Sequence, residues 1–184
     1  MRSYGESSKA VMDELSLLLG KVSNEEIEAY VEALLGAREV FFVGVGRVRL
    51  SLEAAVKRLT HLGISCHMVG DLNEPPITSD DLLVVGSGSG ESVIPLEIAK
   101  KAKSYQATIV HLTSSPESSI AQLADSVVTF ESPSKSNQTF MSIQPMTTVF
   151  EQGLLIFHDV LALRLMEEKQ MTMEALKSRH ANLE

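Results

Sequence analysis

Apolar residues recur along this chain with two different periods, and the change between them divides it. From Ser8 to Leu19, the residues Val11, Leu15, Leu18 and Leu19 fall on one face, which predicts a helix stopping at Gly20. A second helix is predicted at once. Ser23 and Glu26 make an S-x-x-E capping box, and Ile27, Tyr30, Val31, Leu34 and Leu35 repeat at helical spacing up to Gly36. Beyond Glu39 the pattern switches to short continuous apolar runs. Val40–Val43 and Leu82–Val85 are such runs and read as buried strands, and Ser65–Val69, Thr108–Leu112 and Ser126–Phe130 read as three more strands. Helical patterns separate them, one through Val48, Leu52, Ala55, Val56, Leu59 and Leu62, another through Ile94, Ile98 and Ala102. Ser115-Pro116-Glu117 reads as N-cap, N1 and N2 of a further helix ending near Ala124. A long helix, apolar on most sides, is predicted from about Thr148 to Lys169, and a short one from near Thr172.

Strands alternating with helices imply right-handed crossovers and a doubly wound α/β fold, a three-layer αβα sandwich whose five-stranded parallel sheet carries helices on both faces. Glu131 to Pro145 is polar, Ser-rich and long for a connection, so it reads as a functional loop or lid. With 184 residues, 44% of them hydrophobic, the chain fits one soluble domain. Its 16 Lys and Arg against 24 Asp and Glu give a net charge of −8, which argues against nucleic acid as a partner but leaves room for a local anion pocket. Cys66 stands alone, so no intramolecular disulfide can form, and no Cys/His set points to zinc or another metal. The first residues, MRSYGESSKAVMDE, hold no apolar core of signal-peptide length. The nearest candidate for a membrane span, Gly153 to Met166, is interrupted by His158, Asp159 and Arg164. A cytoplasmic protein without membrane contact is expected.

The stretch with the clearest chemistry is Gly86-Ser87-Gly88-Ser89-Gly90-Glu91-Ser92, between a predicted strand and a predicted helix. Glycines admit a ligand close to the backbone, Ser87, Ser89 and Ser92 offer hydroxyls, and the first amides of a helix lack partners within it. That combination suits a phosphate dianion; the plainer reading is a Ser-rich turn capping a helix. Gly44-Val45-Gly46-Arg47-Val48-Arg49 sits where a dinucleotide fingerprint would, but Arg49 occupies the place of the third glycine. Neither Gly-rich loop ends in the lysine of a nucleotide triphosphate loop, and no G-x-S-x-G elbow occurs. If the two strand exits are neighbours, Arg47 and the serines outline a sugar-phosphate site; otherwise Arg47 is a helix-start arginine reaching solvent. His61 lies off the apolar stripe of its helix, as a surface or capping histidine also would. Glu151 opens the long apolar helix, where a carboxylate needs a partner or a task, stabilisation of the helix N-terminus being the simplest.

VGVGR, RLTHLG, GSGSGES, SIQPM, FEQGLLIF and RHANLE occur in the order and at roughly the separations found in 6-phospho-3-hexuloisomerases of the sugar isomerase (SIS) fold, and nearly the whole chain resembles that family. The resemblance implies one SIS-type domain over residues 1–184, with a helical hairpin at about 8–36 and C-terminal helices at about 148–180 against neighbouring subunits. It implies a cytoplasmic homotetramer of the ribulose monophosphate pathway of formaldehyde fixation. Such an enzyme converts arabino-3-hexulose 6-phosphate to fructose 6-phosphate with neither metal nor organic cofactor. Carried onto this chain, it nominates Glu151 as base, and His61 and His180 as groups that polarise or protonate the carbonyl oxygens. Arg47, Ser87, Gly88, Ser89, Gly90, Ser92 and Gln144 become substrate-binding residues. His180 lies near the C-terminus, where a structural tail contact is the competing role. Four positions depart from the family: Val48 and Arg49 replace a Ser-Gly pair, Thr147 stands where glycine is usual, and Ser92 replaces threonine while keeping the hydroxyl. Two rivals therefore accompany the isomerase reading: an isomerase of another phosphosugar, and a phosphosugar-binding regulatory protein without turnover.

Overall fold

The structure, a computed structural model, describes residues 2–132 and 142–183. Five parallel strands, β1 (Val40–Val43), β2 (Cys66–Met68), β3 (Leu82–Gly86), β4 (Thr108–Thr113) and β5 (Ser126–Thr129), form one sheet in the order β2-β1-β3-β4-β5. Helices α1 (Tyr4–Leu19), α2 (Asn24–Gly36), α3 (Gly46–His61), α4 (Val93–Ser104), α5 (Thr148–Glu168) and α6 (Met173–Ser178) complete the described elements. The doubly wound α/β sandwich expected from the alternating pattern is thus present, and each strand falls within two residues of its predicted bounds.

Alternation along the strands sorts the core into two halves. Phe42, Val84, Val110, Leu112 and Val128 face α1, α2, α3 and α5, whereas Phe41, Val43, Leu83, Val85 and Ile109 face α4 and the turns before β5. The first half is larger, and it includes the fully buried Tyr30, Phe42, Phe130 and Phe150. At about 1.5–3 kcal/mol for each buried side chain, that layer contributes most of the hydrophobic stabilisation. Gly153 lets α1 approach α5, since a Cβ there would lie 2.3 Å from Leu18 Cδ2. Inside the same half, His158 Nδ1–H donates to the Leu154 carbonyl at 2.7 Å, which leaves Nε2 to accept the Tyr30 hydroxyl at 3.0 Å. Burial pushes this imidazole down to about 4 and keeps it neutral.

Two local expectations are corrected. Residues 115–124 form a run of turns instead of a helix. Their amides serve the neighbouring loop: Ile120 N–H donates to the Gly90 carbonyl at 3.2 Å and Ser119 N–H to Glu91 Oε1 at 2.7 Å. The capping box forms at the first helix, where Ser3 and Glu6 exchange hydrogen bonds and carry α1 back to Tyr4. Ser23 does sit at the N-cap of α2, but its side chain makes no cap bond, and Glu26 accepts from the amide (2.8 Å) and hydroxyl (3.1 Å) of Thr129, tying α2 to β5. Most of the loop expected over Glu131 to Pro145 lies outside the described residues. No described helix is long and apolar enough to cross a membrane.

Candidate active site

In a parallel sheet all strands leave at one edge, and in the order 2-1-3-4-5 the winding direction reverses between β1 and β3. A crevice opens at such a reversal. The register pairs Val43 with Val85, so Gly44 and Gly86 follow side by side. Both lie under Val48 and Leu52 of α3: a Cβ on either glycine would come within 2.9 Å of Leu52 Cδ1 and about 3 Å of Val48 Cγ1. Val48 therefore serves as an apolar lid over the paired glycines. Arg49 turns away from the crevice, donating to Glu53 (2.8 Å), to the Val69 carbonyl (3.3 Å) and to Asp71 (3.5 Å), so it adds no charge beside Glu151.

The Gly/Ser loop leaving β3 is braced from within. The Ser87 hydroxyl, buried, accepts the Gly90 amide at 3.1 Å and donates to Ser92 Oγ at 3.1 Å. Ser89 Oγ accepts the Glu91 amide at 3.3 Å, and the Gly88 carbonyl takes the Ser114 amide at 3.1 Å. Gly90 has φ +64°, and a Cβ there would sit 1.9 Å from Ser118 Oγ, so only glycine fits. Ser92 is the N-cap of α4, yet its hydroxyl makes no cap bond. The first-turn amides of α4 are thus left to whatever anion the loop receives.

The β4 exit enlarges this cradle, which the sequence pattern does not reveal because Ser115-Pro116-Glu117 has the form of a helix cap. Ser89 and Glu91 on one side and residues 114–118 on the other line a cavity of about 380 Å³. Ser114 Oγ meets Ser132 Oγ of the β5 exit at 2.5 Å. Beneath it lies His111, fully buried on β4. Its Nδ1–H donates to the Val85 carbonyl at 2.9 Å, so Nε2 is the bare nitrogen, and it has no hydrogen-bond partner among the described residues. Burial pushes this ring down to about 4, the Val85 carbonyl and the Glu91 charge acting in the opposite sense.

Glu151 stands in the first turn of α5, 9% exposed. Arg47 Nε donates to its Oε2 at 2.5 Å and the Thr147 hydroxyl to its Oε1 at 2.9 Å. Ser51 of α3 donates to its backbone carbonyl at 2.7 Å. Phe150, its neighbour, closes on the Gly/Ser loop, since a Cβ on Gly88 would lie 3.3 Å from the ring. Arg47, Glu151 and the serine loop are therefore brought together at the β1/β3 crevice. A cation, a carboxylate and an amide-and-hydroxyl cradle in one place can hold a phosphorylated molecule and exchange a proton with it.

The remaining nominated residues lie elsewhere. Gln144 Nε2 donates to Glu14 of α1 at 3.1 Å, beside the Ile143 amide and the Ser142 hydroxyl, both 2.7 Å from the same carboxylate. Burial opposes the charge of Glu14, but these three donors outweigh it and hold the carboxyl below its usual range. His61 is the last residue of α3, buried, with its ring 5.1 Å from that of His180. At 1.5 Å per residue it lies about 21 Å along the helix from Arg47, at the end where strands enter. Within one chain the histidines and the carboxylate do not meet.

A family model described as the SIS domain matches residues 33–163. The chain belongs to the SIS domain family. Among its relatives is a protein of Bacillus subtilis named 3-hexulose-6-phosphate isomerase, 39% identical over 176 residues and covering 95% of each chain. A Mycobacterium gastri protein of the same name is 35% identical over 175 residues, covering 95% of this chain and 88% of its own. A crystal structure from Methanococcus jannaschii, presented as inferring a molecular function of 3-hexulose-6-phosphate isomerase, aligns with a TM-score of 0.85 at 28% identity, covering 97% of this chain and 99% of that one. Glu14 and His111 carry no signal in the sequence pattern, while Thr147 shows there only as a residue in a glycine's place.

Proposed function

We propose that the chain is a sugar-phosphate ketose isomerase that interconverts arabino-3-hexulose 6-phosphate and fructose 6-phosphate. The observation that carries this reading is Glu151, a carboxylate fixed at both oxygens beside a phosphate cradle at the β1/β3 crevice. The names of the Bacillus and Mycobacterium relatives supply the substrate. Ser89, Ser92, the backbone of Gly88 and the first amides of α4 hold the phosphate, with Ser87 bracing the loop, Gly90 shaping it through bonds to Ser87 and Ile120, and Arg47 adding charge. Glu151 removes the proton from C2, giving a cis-enediolate with its charge on O3, and O3 then takes up a proton. Loss of the O2 proton and return of a proton to C3 then complete the shift of the carbonyl from C3 to C2. Carboxylate and hydroxyl chemistry suffices, so neither metal nor organic cofactor is required. Acid–base catalysis of this kind contributes about 10²- to 10⁴-fold, and the rest comes from positioning and electrostatic stabilisation of the enediolate.

His61 and His180 serve the oxygens, and being remote from Glu151 in one chain, they act on the crevice of a neighbouring copy. Gln144, its amide engaged by Glu14, anchors the segment before α5 in place of the substrate contact expected of it. The working form is a cytoplasmic homotetramer of single-domain chains in the ribulose monophosphate pathway, without nucleic-acid or membrane partners. In support of assembly, α5 turns Leu155, Val160 and Leu163 to solvent, between 40% and 63% exposed, a stripe that a second chain covers.

Fructose 6-phosphate incubated with the protein in deuterated water tests this. Deuterium should enter carbon-bound positions with the wild type, and Glu151→Gln should bind the sugar but slow incorporation by about 10³-fold. Binding without exchange by the wild type overturns the isomerase in favour of a phosphosugar-binding regulator.

A further inference from the structure

The helix that carries Glu151 begins in an unusual way. Thr147 occupies the N-cap of α5, where a threonine hydroxyl ordinarily accepts a first-turn amide, yet its side chain makes no such bond. The hydroxyl reaches four residues ahead and donates to Glu151 Oε1 at 2.9 Å. Oε2, on the other side of the carboxylate, faces Arg47 of the β1 exit at 2.5 Å. The main chain here is secured independently, by Ser51 on the Glu151 carbonyl (2.7 Å), by the Glu151 amide on the Thr147 carbonyl (3.1 Å), and by the Thr148 hydroxyl on the Pro145 carbonyl (2.7 Å). What the Thr147 hydroxyl adds is control over the last torsion of one side chain.

We propose that Thr147 is a positioning residue for Glu151: by engaging Oε1 it fixes the plane of the carboxylate and reserves Oε2, on the Arg47 side, for the carbon-bound proton. Resting on the isomerase reading above, this assignment deepens it by naming the reactive oxygen and the group that aims it. A carboxylate free to turn about its last bond presents either oxygen, and small errors of aim cost much in proton transfer. Thr147 does not touch substrate, so its loss acts on turnover and leaves capture of the phosphate alone. The methyl group of threonine plays no part, and serine substitutes for it.

The experiment compares Thr147→Val, Thr147→Ser and the wild type for kcat and KM toward fructose 6-phosphate, together with deuterium incorporation and thermal melting. Valine keeps the shape and removes only the donor. Its kcat and exchange rate should fall by about tenfold to a hundredfold with KM within about twofold, while serine restores kcat to within about threefold. A valine variant with wild-type kcat overturns the assignment, as does a serine variant as slow as valine, or a loss confined to KM. If instead the wild type incorporates no deuterium, the isomerase reading itself fails and this assignment with it, an outcome distinct from the other three.

Discussion

Helix α3 has chemistry at both ends, and the two ends are organised in opposite ways. At its start, Arg47 is 63% exposed at the side chain and reaches across to Glu151, in a crevice lined by hydroxyls and amides. At its finish, His61 is buried and its ring packs against His180, while the Arg179 guanidinium lies over Gly63, where a Cβ would come within 1.7 Å of Nη1. The first end is open with its polar groups gathered around a space; the second is closed, its tail folded down over the helix. An open end suits a ligand. A closed end bearing histidines suits contact with another chain, so the two halves of the proposed chemistry meet only when copies assemble.

The sharpest way to break this comparison is to disable the two ends in separate chains. Glu151→Gln and His61→Asn alone should each lose about a hundredfold or more in turnover, yet co-refolded in equal amounts they should recover about one quarter of wild-type activity if each site draws its carboxylate and histidine from different copies. Failure to recover would show that the two ends do not combine across copies, and a His61→Asn variant with wild-type turnover would show that the closed end has no part in the chemistry. Within the open end, Ser87→Ala removes the hydroxyl that braces Gly90 and Ser92, and calorimetry should show fructose 6-phosphate binding weakened by about tenfold to a hundredfold.

The buried histidines separate the core from both ends by pH. His111 and His158 are each pushed from about 6.5 to about 4 in the folded chain. As pH falls below 6.5 the unfolded chain takes up protons first, so stability is complete above that value and declines between 6.5 and 4. Each ring should cost about 2 kcal/mol by pH 5, seen as a shift in urea midpoint, and His158→Phe should flatten part of the slope. Arg49 should matter least. Its bonds to Glu53, Val69 and Asp71 are half-exposed and point away from the crevice, so Arg49→Ala should change stability by under about 1 kcal/mol and leave kcat unchanged.

β2, β4 and β5 carry Ser, Thr or His within them and were legible only from their place between helical patterns, whereas β1 and β3 were legible because each is an uninterrupted apolar run giving way to glycine, a pattern that needs no knowledge of neighbours. The Arg47 and Ser87–Ser92 exits were legible for the same reason. Ser115-Pro116-Glu117 misled because the cap signal is local, while the amides of Ser119 and Ile120 are claimed by Glu91 and Gly90 from another loop. Glu26 misled likewise, its carboxylate taken by Thr129, 103 residues away. Thr147 reads in the sequence as a misplaced bulky residue, and only the fold reveals that its hydroxyl has a partner.

Glu14 has a longer reach than its place on the first helix suggests. Through Ser142, Ile143 and Gln144 it anchors the stretch that leads into α5, and Glu151 follows only seven residues after Gln144. Shortening or unwinding the opening helix would thus slacken the mooring of the proposed base from the far end of the chain, making a segment with no reactive group of its own a determinant of turnover.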